Sequence, residues 1–84
     1  MSVLSTINVG SSNFVASQKV VAIVNSESAP LRKLIQTLRG SGQIIDATQG
    51  KKTRSIVVTE GQFFVLSTLE PEELASRLKE ALGG

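Results

Sequence analysis

Eighty-four residues amount to one domain at most, and a chain this short buries a modest core with a thin stability margin. It contains no cysteine and no histidine, which excludes disulfides and thiolate or imidazole ligation of zinc, copper or iron. With those staples missing, self-association is the usual remedy, and the net charge of +2 hides an uneven distribution.

Residues 1–27 set Lys19 against Glu27 and are neutral. Residues 28–59 hold Arg32, Lys33, Arg39, Lys51, Lys52 and Arg54 against Asp46 alone, a local charge of +5. Residues 60–84 hold five glutamates against Arg77 and Lys79, a local charge of −3. A basic middle and an acidic end are the footprint expected for a phosphate-rich partner. The N-terminus shows no basic segment followed by an apolar run, and no apolar stretch approaches about 18 residues, so a soluble cytoplasmic protein without a membrane partner is expected.

Alternation over Val3–Val9 predicts a first strand, and Gly10-Ser11-Ser12-Asn13 reads as a turn. A second strand is expected over Phe14–Val24, whose apolar run Val20–Val24 suits a strand covered on both faces by a helix or a neighbouring subunit. Lys19 interrupts it, either as an exposed strand position or beside the basic stretch described below. Ser28 is a natural N-cap and Pro30 fits the first turn of a helix, in which Leu31, Leu34, Ile35 and Leu38 form an apolar stripe. Arg32, Gln36 and Arg39 share the next flank, with Lys33 further round, and Gly40 is the favoured stop.

Gln43–Thr48 and Thr53–Thr59 are the third and fourth expected strands, and Glu60-Gly61 turns the chain into a fifth over Gln62–Ser67. Pro71 opens a last helix with acids at its positive end, and Leu74, Leu78, Ala81 and Leu82 form its buried stripe. The expectation is an α+β single domain of about five strands, with one helix after the second strand and one at the C-terminus.

The stretch Asp46–Thr59 carries the most chemistry. It reads as a strand end, a glycine turn bearing Lys51 and Lys52, and a strand opening with Arg54, in other words a hairpin tip. Three cations in four positions do not belong in a core. By itself the cluster fits a solvated turn that keeps sheet edges apart better than it fits a polyanion site.

Gly50-Lys51-Lys52-Thr53 is not a phosphate loop, because Ile45 stands where the first glycine belongs and Lys52 where Ser or Thr must follow the lysine. The seven acids are scattered over turns and the last helix rather than paired, so no enzyme, cofactor or small-molecule substrate is expected. The terminal Gly83-Gly84 resembles the tail of ubiquitin-like sulfur carriers, but those tails leave a strand and this one follows a helix pattern.

Several segments together resemble the RemA family of small bacterial regulators of extracellular-matrix genes. They are Ile7-Asn8-Val9-Gly10, Ser26-Glu27-Ser28-Ala29-Pro30, Ile45-Asp46-Ala47-Thr48 with Gly50-Lys51-Lys52-Thr53-Arg54, and Val57-Val58-Thr59. The likeness runs in order from about Ile7 to Leu78 and makes residues 1–84 a single RemA-like domain.

The resemblance implies a small fold similar to LytTR-type domains and a transcriptional regulator that binds double-stranded DNA as a closed ring of identical subunits. It places the family's paired arginines on Lys51 and Lys52, its strand arginine on Lys19, and matches Arg54 directly. Arg32 or Lys33, on the cationic flank of the first helix, are expected as outer contacts beside them. Lysine keeps the attraction for phosphate but loses the planar fork that reads guanine, which favours phosphate and shape recognition. A nucleoid-type or RNA-binding protein, and an oligomeric interaction module that ignores nucleic acid, are the competing functions.

Overall fold

The computed structural model describes residues 5–83. Its elements are β1 (Thr6–Gly10), β2 (Asn13–Ala16), a single 3₁₀ turn (Ser17–Lys19), β3 (Val20–Asn25), α1 (Ala29–Leu38), β4 (Ile44–Asp46), β5 (Ser55–Thr59), β6 (Phe63–Ser67) and α2 (Pro71–Ala81). This is the expected α+β domain, with one helix after the early strands and one at the C-terminus. The predicted first strand began at Val3; that residue and Leu4 lie outside the described residues.

The long second strand is divided. Residues 13–16 pair with β1, the chain turns through Ser17–Lys19, and residues 20–25 join a different sheet. Continuous β-propensity over Phe14–Val24 hides this corner, because propensity does not say which partner each half finds. The β1–β2 turn runs through left-handed backbone at Gly10, Ser11 and Ser12. A Cβ at Gly10 would stand 3.2 Å from the Thr68 hydroxyl oxygen, so both the conformation and the packing there call for glycine.

The main sheet has the order β3-β5-β6-β4, antiparallel except for the parallel β4–β6 pair. Here a second expectation is corrected. β4 and β5 are not hairpin partners: β4 pairs with β6, β5 lies beyond it, and residues 47–54 arch over the end of β6.

Both faces of the sheet are covered. Val57 and Val65 point into a cluster with Ile7, Val9, Ala47 and Leu74, which joins the sheet to the β1–β2 hairpin and α2. Ile56, Phe64 and Leu66 point the other way, onto Ile35 of α1. The period of two along β5 thus serves two cores, which is why its sequence is almost wholly apolar. Ser67 joins the layers: its hydroxyl donates to the Val9 carbonyl at 2.6 Å and accepts from the Leu69 amide at 3.1 Å, fully buried.

The helices start and stop as their sequences indicate. α1 follows Ser28, with Pro30 in its first turn, and ends before a left-handed Gly40; Pro71 opens α2. The apolar stripes are narrower than expected, since Leu34 and Leu82 are exposed while Ile35 and Leu74 are buried. Other exposed apolar side chains lie at the margins of the sheets: Phe14 on β2, Val21 at the bulge of edge strand β3, and Ile45 on edge strand β4. Among the described residues no helix is long and apolar enough to cross a membrane.

Candidate nucleic-acid interface

The basic arch is built from its two ends. At the β4 end, Asp46 accepts from the Thr48 hydroxyl at 2.5 Å and from the Thr48 amide at 2.8 Å, while the Ala47 amide donates to the Leu66 carbonyl. Those bonds, the hydroxyl's first, hold the Asp46 carboxyl below its ordinary pKa, and the charge of Arg39 adds to the effect. Gln49 and Gly50 then both take left-handed backbone, and the Lys51 amide returns to the Thr48 carbonyl at 3.1 Å. At the β5 end, the Arg54 amide donates to the Ser67 carbonyl at 2.8 Å, and the Arg54 carbonyl accepts from the Ser26 amide. Lys51 and Lys52 therefore stand exposed on a loop whose ends are hydrogen-bonded to two different elements.

The proposed cations fall into three groups. Lys51, Lys52 and Arg54 share the arch. Arg32 and Lys33 lie on α1, and Arg32 faces the arch across a groove of about 670 Å³ that Lys52 also lines. Lys19 stands apart. Its neighbour Val20 pairs with Thr59, whereas Asn25 pairs with Ser55 beside the arch, so Lys19 is at the opposite end of the β3–β5 ladder. Four strand steps of about 3.4 Å separate those ends by roughly 14 Å. Placement of Lys19 beside the basic turn is thus not met within one chain, because the 3₁₀ corner and the register carry it away.

Two cations come with acids attached. Lys19 Nζ lies 3.7 Å from Glu60 Oε1, and Arg54 Nη1 lies 3.2 Å from Glu70 Oε2. No ion pair among the described residues involves Lys51, Lys52, Arg32 or Lys33. Sequence reasoning did not single out Arg39 as a site residue, yet it lines the groove with Arg32 and Lys52. The signal was present in its i, i+7 relation to Arg32 on the helix. The counter-ions Glu60 and Glu70 left no comparable trace, since they are set by tertiary placement.

Comparison with known proteins identifies the family. A profile of the RemA-like family, described as extracellular matrix regulatory protein A-like, matches residues 6–78. A protein of Fervidobacterium nodosum named "Putative regulatory protein" is 46% identical over 76 residues, covering 90% of this chain and 82% of the relative. Proteins of the same name from Oleidesulfovibrio alaskensis and a Synechococcus strain are 48% identical over 71 residues and 45% identical over 78. They cover 84% and 93% of this chain, and 84% and 88% of the relatives, respectively. The profile spans every strand and most of α2, and with the matching relatives it shows that this chain belongs to the RemA-like family of regulatory proteins.

Proposed function

We propose that this protein regulates transcription of matrix or biofilm-type genes by binding double-stranded DNA as a ring of identical subunits in the cytoplasm. The observation that carries the reading is the arch: two adjacent lysines without acidic partners among the described residues, exposed on a loop whose backbone is fixed at both ends. Lys51 and Lys52 take phosphates, Arg54 and Lys19 flank them, and Arg32 and Lys33 are outer contacts. Lysine in these positions gives phosphate and shape recognition rather than bidentate reading of guanine.

Self-association supplies what one subunit lacks. One arch makes few phosphate contacts, and repetition of the site raises avidity through effective concentration. Edge strands β3 and β4 lie on opposite sides of the sheet and carry exposed Val21 and Ile45, which suits a head-to-tail contact that can close into a ring. In such a ring Lys19 of one subunit need not be near its own arch to join a continuous basic track.

The test is a double substitution, Lys51→Ala with Lys52→Ala, assayed on duplex DNA across a range of salt. It lowers affinity and flattens the slope of log K against log salt by roughly 1 to 2 per engaged subunit. An unchanged slope rejects the arch as the phosphate site. Stronger binding to duplex RNA than to duplex DNA transfers the surface to an RNA partner.

A further inference from the structure

The groove beneath the arch divides its charge between two elements. The flank of α1 and its C-cap contribute Arg32 and Arg39 to one wall, the arch contributes Lys52 to the other, and Glu27 is the only carboxylate among the lining residues. None of the three cations has an ion-pair partner among the described residues. Asp46 is held first by the Thr48 hydroxyl and amide and only then feels the charge of Arg39, with which it makes no ion pair. Arg32 and Arg39 stand on one helix flank, about 10 Å apart along the axis at about 1.5 Å per residue. That spacing spreads positive charge along the groove instead of focusing it on one point. With Lys52 opposite, it suits a chain of phosphates better than a single compact anion.

The concave form selects which part of a duplex it can take. Base edges lie at the floor of the DNA grooves, and projecting elements reach them. A recess meets instead the ridges of the duplex, which are its sugar-phosphate strands. The Gln36 amide and the Thr53 hydroxyl also line the groove, and both can donate to phosphate oxygens. We infer that the groove seats one sugar-phosphate strand of duplex DNA, and that Arg39 is a further phosphate contact, gripping that strand from the wall that faces Lys52.

This rests on the DNA reading above and adds a second wall to it. α1 and the arch close on the same strand from two sides, so Arg32 and Lys52 act together with Arg39 and not as separate points beneath the duplex. The planar fork of Arg39 can hold two phosphate oxygens at once, which the lysines of the arch cannot.

The experiment is anisotropy titration of labelled duplex DNA with the intact chain across a range of salt, comparing wild type, Arg39→Gln, Arg39→Lys and Lys79→Gln. Arg39→Gln weakens binding roughly tenfold at low salt and flattens the slope of log K against log salt by about 1 per engaged subunit. Arg39→Lys recovers the slope and most of the affinity, because it restores the charge without the fork. Lys79→Gln removes the same charge from α2, away from the groove, and leaves affinity and slope as in the wild type. Circular-dichroism melts confirm that the variants are folded. A wild-type slope in Arg39→Gln, a loss that Arg39→Lys does not recover, or an equal loss in Lys79→Gln overturns the inference. If the wild type binds and Lys51→Ala with Lys52→Ala weakens it while Arg39→Gln does not, the groove is rejected and the arch stands. A wild type that ignores duplex DNA at every salt rejects both.

Discussion

The guanidinium of Arg54 lies 3.2 Å from the carboxylate of Glu70, the residue that caps α2. The cation that closes the basic arch therefore meets any incoming phosphate with its charge already shared, and an anion must displace an internal partner to use it. The pair is exposed, so it contributes little to stability, but it opposes polyanion binding. Glu70→Gln is expected to raise low-salt affinity for duplex DNA by up to about fivefold without changing the melting temperature. Fluorescence anisotropy titration of a labelled duplex checks this, and equal affinities would mean that Arg54 makes no contact.

Asp46 gives the arch a pH signature. Its folded pKa lies below the ordinary value of 3.8, chiefly through the Thr48 hydroxyl and amide. A depressed folded pKa adds stability above the unfolded value, and that stability is lost as pH falls through the folded pKa. Asp46→Ala therefore melts below the wild type at neutral pH, and the gap closes as pH drops below about 4. Thermal melts of both proteins over a pH series are the check; a gap that persists in strong acid would mean that the carboxylate charge is not what Thr48 stabilises.

Two buried serines have opposite expectations. Ser67→Ala strands the Val9 carbonyl and the Leu69 amide inside the fold, and costs about 1–3 kcal/mol, or several degrees in melting temperature. Ser17 is equally buried, but its hydroxyl has no partner among the described residues, so Ser17→Ala is neutral or stabilising. Urea denaturation of the two variants side by side measures the difference.

Val21 tests assembly. It is 65% exposed at a bulge on an open edge strand, where an introduced charge harms the monomer little and opposes strand-to-strand contact. Val21→Glu is expected to shift light-scattering mass from oligomer to monomer while leaving the circular-dichroism spectrum unchanged. If the mass is unaffected, the β3 edge is not the contact.

How much of this was legible beforehand depended on whether the signal was local. The helices were, because Pro30, Gly40 and Pro71 mark boundaries through backbone chemistry that needs no partner; Ser28 holds the N-cap position of α1 but its side chain makes no capping bond there. The turn at Glu60-Gly61 was legible for the same reason, and Gly61 and Gln62 both take left-handed backbone there. The arch's cations were legible as a cluster. Pairing was not: nothing in Ile44–Asp46 states that its neighbour is Phe63–Ser67 rather than the nearer Ser55–Thr59, since each run is apolar enough to pair with either. Lys19 was left open between two placements by the same gap, because its position depends on a corner at Ser17 and a register set forty residues away. Arg39 was visible on its helix flank, but only the fold shows that this flank meets Lys52.

The parallel pairing of β4 with β6 has a consequence for how such a protein can diversify. In a hairpin, adding one residue at the tip forces the two strands to slide or to bulge, and the core suffers. Here the lysine-bearing segment bridges strands that do not touch each other, so its length and composition are decoupled from the alignment of the sheet. New tips can be grafted between Thr48 and Arg54 with the scaffold left as it is, which makes the part proposed to meet DNA the most replaceable part of the molecule.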